Sequence, residues 1–158
     1  MPVRVQTEDF DVGAEIAALR YGDTRIGAVA CFVGLVRDLN DDAQVSGMTL
    51  EHYPGMTEKA LEDIVAQARQ RWNILDALVI HRVGALKPAD QIVLVATSGA
   101  HRGEAFASCE FIMDYLKTQA PFWKKEQTGD GARWVDARES DEHAARRWAP
   151  RDPHPPTT

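Results

Sequence analysis

The sequence predicts an α+β domain with a mixed or antiparallel sheet and flanking helices. Short apolar segments with strand-like alternation are followed by segments with three- and four-residue apolar spacing, in the order βα, ββα, ββα, ββα. Strands that follow one another in pairs do not fit a doubly wound fold, which alternates single strands and helices. With 158 residues and 44% hydrophobic content, the chain is long enough for one domain with its own core.

The first elements can be placed from their apolar patterns. Residues 3–6 alternate as in a short strand, and Asp11 is expected to cap a helix that runs to about Arg20. Residues 26–36 are almost continuously apolar and rich in small and β-branched side chains, which predicts a central strand buried on both faces. The polar, turn-rich residues 38–47 predict a surface loop.

The later elements follow the same patterns. Strands are predicted at 48–53, 75–83, 91–97, 123–127 and 132–135, and helices at 57–72 and from about 140 to 148. The domain is expected to cover residues 1–149, with a disordered proline-rich tail at 150–158.

Residues 98–126 predict a long helix with cationic groups at both ends, and the chemistry is expected here. Thr97 or Ser98 is expected to cap the helix and Pro121 to end it. One face carries an apolar stripe: Ala105, Phe106, Cys109, Ile112, Met113 and Leu116. His101 and Arg102 fall in the first turn, where free N–H groups and the helix dipole favour an anion such as phosphate.

The far end of this helix places two lysines near each other. Lys117 borders the apolar stripe, and Lys124 follows the aromatic pair at 122–123. Partial burial and neighbouring cations lower an amine pKa, which suits an acid, a base or a nucleophile. The alternative is that Lys124 and Lys125 protect an exposed strand edge, and that the arginines at 37, 102 and 138 are ordinary surface or salt-bridge residues.

Composition argues against several classes of protein. A net charge of −6 disfavours general binding to nucleic acid or to anionic membranes. The N-terminus lacks a signal-peptide core and no segment is apolar for a membrane-spanning length, so a cytoplasmic protein is expected.

The histidines show no metal-ligand spacing, and neither a metal nor a cofactor is predicted. Cys31 and Cys109 both lie in apolar surroundings and are expected to be reduced and buried.

Several segments together resemble a known family, the catalytic (large) subunits of molybdopterin synthase. They are Phe32-Val-Gly-Leu-Val-Arg37, Leu50-Glu-His-Tyr-Pro-Gly-Met-Thr-Glu-Lys-Ala60, His81-Arg-Val-Gly84, Ser98-Gly-Ala-His-Arg102, Phe111-Ile-Met-Asp-Tyr-Leu-Lys-Thr-Gln-Ala-Pro-Phe-Trp-Lys-Lys-Glu126 and Arg133-Trp-Val-Asp-Ala-Arg138. The resemblance extends over about residues 3–148 and leaves out the C-terminal tail.

The resemblance implies an α/β-hammerhead-like fold and a sulfurtransferase activity. The family converts cyclic pyranopterin monophosphate to molybdopterin by adding two sulfurs as a dithiolene. The sulfur comes from a small β-grasp, ubiquitin-like carrier subunit with a C-terminal Gly-Gly thiocarboxylate. Two of each subunit form a heterotetramer around a homodimer of the large subunit.

The resemblance also implies roles for individual residues. Lys117 and Lys124 match the catalytic lysines, which also contact substrate. The other matching positions bind the substrate or support the binding segment: Leu35, Val36, Arg37, His101, Arg102, Lys125, Glu126 and Arg138. Two other functions fit the residues: a module that only docks a ubiquitin-like tail, and an unrelated phosphate-ester enzyme.

Overall fold

A computed structural model describes residues 2–40, 43–129, 131–135 and 139–149. Arg138 and the predicted tail at 150–158 lie outside the described residues. The elements are β1 (Val3–Gln6), α1 (Val12–Arg20), β2 (Ala28–Leu35), β3 (Leu39–Asn40), β4 (Ala43–His52), α2 (Met56–Arg71), β5 (Ile74–Arg82), β6 (Gly84–Leu86), β7 (Gln91–Gly99), α3 (Arg102–Gln119), β8 (Phe122–Thr128), β9 (Gly131–Val135) and α4 (Glu139–Arg146).

The strands form two sheets, which confirms the predicted α+β class. The first sheet has the order β1-β5-β7-β2, with β1 parallel to β5 and the other neighbours antiparallel. The second has the order β3-β4-β8-β9, all antiparallel, and β6 pairs with β4. Strands β4 and β8 of the second sheet are joined to the first sheet through the helices, so a junction forms where the sheets meet the end of α3.

The first sheet has helices on both faces. Side chains alternate along a strand, so Val79 of β5 packs with α2 and α3 whereas its neighbour Ile80 packs with Phe10 and α1. The larger core cluster contains Leu61 and Ile64 of α2. No helix in the described ranges is long and apolar enough to cross a lipid bilayer.

The prediction that residues 26–36 form a central strand is wrong, because β5 and β7 occupy the centre and β2 is an edge strand. As a consequence part of β2 lacks cover within the chain. Cys31 is exposed, which corrects its predicted burial, and Phe32 and Leu35 are 42% and 53% exposed. An apolar run alone does not separate an edge strand that needs a partner from a buried central strand.

Residues 38–47 also differ from the prediction. They contain the short strand β3 and the beginning of β4, which pair through Leu39 with Gln44 and Asn40 with Ala43. The β3–β4 hairpin forms because β4 is held in place by its pairing with β8. Pairing with β4 then gives the backbone N–H and C=O groups of the polar strand β3 hydrogen-bond partners.

The long helix begins later than predicted. Thr97 and Ser98 are buried residues of β7 and do not cap it; His101 is the N-cap residue and makes no side-chain capping bond. The apolar stripe is buried except at Phe106, which is 65% exposed. The helix ends at Gln119, two residues before Pro121, as proline requires.

The last helix is held against α3 by aromatic packing and charge. The Trp148 ring lies 5.4 Å from that of Trp72 and 5.8 Å from that of Phe111. Trp148 Nε1 and an Arg147 guanidinium nitrogen both donate to one carboxylate oxygen of Asp114, at 2.6 and 2.8 Å. These contacts place α4 beside the C-terminal half of α3.

Candidate active site

A cavity of about 370 Å³ opens at the junction of the two sheets and the C-terminal end of α3. Its lining is mostly apolar, with three cations and two carboxylates among its side chains. The lining residues are Leu35, Val36, Arg37, Asn40, Val45, Met48, Leu50, His81, Ile92, Leu116, Lys117, Ala120, Phe122, Lys124, Glu126, Val135 and Asp141. A volume of this size fits a small organic molecule.

The two lysines reach the cavity from consecutive elements. Lys117 lies in the last turn of α3, where the helix dipole favours a cation. The chain then turns at Pro121 into β8. Alternation along β8 directs Phe122, Lys124 and Glu126 to the cavity.

Lys125 lies on the opposite face of β8 and does not line the cavity. Its ammonium group lies 5.5 Å from the centre of the Trp134 ring, on the neighbouring strand β9. The two adjacent lysines therefore have different surroundings, although the sequence alone does not separate them.

Glu126 is the centre of a buried polar cluster. Its side chain is 3% exposed and accepts a hydrogen bond from Asn40 Nδ2 at 2.5 Å. Lys124 Nζ lies 3.6 Å from the same carboxylate oxygen, and an Arg133 guanidinium nitrogen lies 3.2 Å from the other. A buried carboxylate needs this kind of pairing, and here the pairing also fixes where the Lys124 ammonium lies.

Arg37 enters the cavity from the end of β2. The preceding residue is anchored by the turn before β7: Val36 N–H donates to Asp90 O at 2.9 Å, and Val36 C=O accepts from Ala89 N–H at 2.8 Å. Leu35 and Val36 also line the cavity. Among the described residues Arg37 makes no ion pair with a carboxylate, so its charge is available to an anion.

His101 and Arg102 lie at the other end of α3. Both are exposed, and neither lines the cavity. A helix rises about 1.5 Å per residue, which separates Arg102 from Lys117 by about 22 Å along the axis. One chain therefore brings Arg37, Lys117, Lys124 and Glu126 together but leaves the two N-terminal residues of α3 apart.

Sequence reasoning missed His81, Asn40 and Asp141 as lining residues. His81 is 5% exposed and its ring stacks on that of Phe122, with centroids 3.8 Å apart and an angle of 18° between planes. Burial, with the nearby Lys117 and His52 as lesser causes, lowers the His81 pKa to about 4. The sequence offered one indication of this position: His81 lies two residues after Val79 and therefore on the same face of β5.

The arrangement suits a small anionic molecule with an apolar or aromatic body. Arg37, Lys117 and Lys124 all bring positive charge to the cavity, and Glu126 lies 3.6 Å from Lys124 Nζ. The apolar lining weakens screening by water and strengthens each interaction with an anion. In the part of the chain that the structure describes, no three His, Cys, Asp or Glu side chains form a group that could hold a metal ion.

The structure defines an α+β protein with a cavity lined by Arg37, Lys117 and Lys124. Comparison with known proteins gives the family. The family model for "MoaE protein" matches residues 5–119. The chain belongs to the MoaE family.

Individual relatives agree with this assignment. The chain is 71% identical over 146 residues to the molybdopterin synthase catalytic subunit of Ralstonia nicotianae, covering 92% of this chain and 83% of that protein. It resembles the structure of the molybdopterin biosynthesis MoaE protein from Burkholderia ambifaria, with a TM-score of 0.80, 64% identity, and coverage of 92% and 96% of the two chains. A protein–protein complex of subunits 1 and 2 of molybdopterin-converting factor from Helicobacter pylori shares the fold, with a TM-score of 0.70, 20% identity and coverage of 88% and 92%.

Proposed function

We propose that this chain is the catalytic subunit of a molybdopterin synthase. In this role it transfers two sulfurs from a thiocarboxylated carrier subunit to cyclic pyranopterin monophosphate and so makes the molybdopterin dithiolene. The observation that carries the proposal is that Arg37, Lys117 and Lys124 come from separate segments and line one cavity. The relatives that share most of the sequence bear the same name.

The charges of the cavity match both reactants. A phosphate ester and a thiocarboxylate are anions, and a cationic pocket attracts both and holds the sulfur near the pterin side chain. We assign Arg37, at the anchored end of β2 beside Leu35 and Val36, to the precursor. Lys117 and Lys124 are the catalytic residues, since an ammonium group can protonate a leaving oxygen and a neutral amine can hold a covalent intermediate.

The partner is a small β-grasp carrier subunit, which delivers its C-terminal Gly-Gly thiocarboxylate into the cavity. The Helicobacter pylori complex of two subunits supports a partner of this kind for a protein with this fold. Lys125 and Glu126 continue the binding segment after Lys124, with Glu126 fixing the ammonium of Lys124. Arg138 is proposed to support this segment.

A homodimer of this chain would complete the site with His101 and Arg102. These residues precede Phe106 by about one helical turn, and Phe106 is 65% exposed. Phe32, on the uncovered edge strand β2, is 42% exposed. Covering these two rings with a second copy removes apolar surface from water and brings the helix start of one copy into the interface.

The test is formation of molybdopterin from purified precursor and thiocarboxylated carrier. Lys117→Ala and Lys124→Ala are each expected to lose at least about a hundredfold in rate, the usual size of a lost acid or base, while folding and carrier binding persist. Lys59→Ala, which removes an exposed lysine of α2, is the control and should turn over at the wild-type rate. Full turnover in the Lys117→Ala or the Lys124→Ala variant excludes that lysine from catalysis. If the wild type binds the carrier but forms no product, the chain is only a module that docks the carrier.

A further inference from the structure

His81 is a buried histidine whose tautomer is fixed by its surroundings. Its Nδ1 lies 2.8 Å from the backbone oxygen of Arg82. A carbonyl oxygen can only accept, so Nδ1 carries the proton and donates it. In the neutral ring the other nitrogen, Nε2, is then unprotonated and is a hydrogen-bond acceptor.

The ring remains neutral at physiological pH. Burial lowers its pKa to about 4, and the positive charge of Lys117 acts in the same direction. The ring cannot turn easily either, because it stacks on Phe122 at 3.8 Å. His81 is thus an oriented, uncharged acceptor beside the cations of the cavity.

Nε2 of His81 is not fully buried. Among the described residues, Arg133 Nε is the one fully buried side-chain nitrogen or oxygen without a hydrogen-bond partner. Nε2 of His81 has no bond to a described residue, so it is not enclosed by protein. His81 also lines the cavity, although only 5% of its surface is exposed.

We propose that His81 is a substrate-binding residue whose Nε2 accepts a hydrogen bond from an N–H group of the pterin ring. This inference rests on the proposed function. The cations Arg37, Lys117 and Lys124 suit the phosphate and the thiocarboxylate, but they cannot accept from the N–H donors of the heterocycle. A neutral acceptor recognises those donors without adding negative charge that would repel the phosphate, so His81 contributes selectivity for the ring.

Two substitutions separate the acceptor from the rest of the side chain. His81→Asn keeps an amide donor near the position of Nδ1 and removes Nε2, whereas His81→Gln can place an amide oxygen near the position of Nε2. By calorimetric titration with cyclic pyranopterin monophosphate, we expect His81→Asn to bind about tenfold more weakly and His81→Gln to recover part of the loss. His52→Asn is the control, because His52 pairs with Glu58 outside the cavity lining, and it should bind as the wild type does.

An NMR measurement on the wild type avoids any effect of substitution on folding. With ¹⁵N-labelled histidine, the precursor is expected to shift the Nε2 resonance of His81 while the Nδ1 resonance changes little. Inorganic phosphate, which carries the charge but no heterocycle, should leave Nε2 unchanged. An equal shift with phosphate, or none with bound precursor, overturns the role of His81.

The outcomes also separate this inference from the function on which it rests. If the wild type does not bind the precursor, the proposed function and the role of His81 both fail. If the wild type binds it and His81→Asn binds equally well, only the role of His81 fails.

Discussion

At the scale of single residues, the two cysteines have different surroundings, and neither suits a sulfur relay. Burial raises the pKa of the Cys109 thiol to about 12, and its S–H group points to Val95 O at 3.7 Å. Cys31 is exposed on β2 but does not line the cavity. A relay needs a thiolate next to the reacting sulfur, which neither residue supplies.

The Cys31→Ala, Cys109→Ala double variant should therefore retain sulfur transfer. We expect a loss of about 1 kcal/mol in the free energy of unfolding, mainly from the packing of Cys109. The measurement is product formation by the folded double variant with thiocarboxylated carrier, beside a urea unfolding curve. A folded but inactive double variant would establish a cysteine relay and leave the lysine mechanism incomplete.

His81 also makes the stability of the protein depend on pH. Its pKa is lowered from 6.5 to about 4, so the unfolded chain binds a proton that the folded chain does not bind between these values. Stability is fully present above about pH 6.5 and decreases as the pH falls towards 4, by about 3 kcal/mol from this group.

Denaturant unfolding of wild type and His81→Asn between pH 7.5 and pH 4 measures this effect. Other groups titrate in both proteins, so the difference between the two curves isolates His81. The wild type is expected to lose more stability than the variant over this range. Equal losses of stability in the two proteins would mean that the pKa of His81 is not lowered in the folded state.

At the scale of elements, local signals predicted what depends on local interactions. Asp11 caps α1 by accepting from Ala14 N–H at 3.0 Å, and Pro121 follows the end of α3, as expected from short-range chemistry. The position of β2 at a sheet edge could not be predicted from its own residues. It depends on strand order, which places β7 next to it on one side only.

The hairpin of β3 and β4 was missed for a related reason. Its local sequence is polar, and the partners that stabilise it are distant: Asn40 donates to Glu126, and β4 pairs with β8. The exposure of Phe106 was also not predictable, since periodicity places Phe106 in the apolar stripe but does not say how wide a face of the helix the sheet covers.

The last helix offers a prediction about an element. Trp148 joins α4 to α2 and α3 through its ring and donates to Asp114. Trp148→Ala is expected to lower the free energy of unfolding by about 2 kcal/mol, because the ring is half-buried and truncation leaves a cavity. Trp148→Phe keeps a ring and loses the hydrogen bond, which should cost about 1 kcal/mol.

Urea unfolding measures both changes, and Trp123→Ala is the matched control. Trp123 is 49% exposed on β8, so its replacement should change the unfolding free energy by less than about 0.5 kcal/mol. Equal losses for Trp148→Ala and Trp123→Ala would show that α4 does not depend on the aromatic cluster.

At the scale of the whole molecule, the cavity joins residues far apart in sequence. That Lys117 and Lys124 line the same cavity was predictable, because only a short turn separates α3 from β8. The contributions of Asn40, His81 and Asp141 were not predictable, since they depend on how the two sheets and α4 meet the end of α3. The distance of His101 and Arg102 from this cavity likewise appears only in three dimensions.

The proposed homodimer makes that distance testable. In a two-fold dimer the same surface is used by both copies, so α3 of each copy would serve the cavity of the other. A mixed dimer of Lys117→Ala and Arg102→Ala chains, isolated through two different tags, then has one cavity with both defects and one cavity with neither. It should form product at about half the wild-type rate, although each variant alone is nearly inactive.

The matched control for this experiment is the mixed dimer of Lys117→Ala and Lys124→Ala. Both lysines line the cavity of their own chain, so each cavity of this dimer lacks one of them and activity should not return. Recovery in the first mixed dimer and not in the second would locate Arg102 in the partner's site. An inactive first mixed dimer, with both tags present and the fold intact, would refute the exchange of helix ends between copies and assign Arg102 to a surface that acts apart from the cavity.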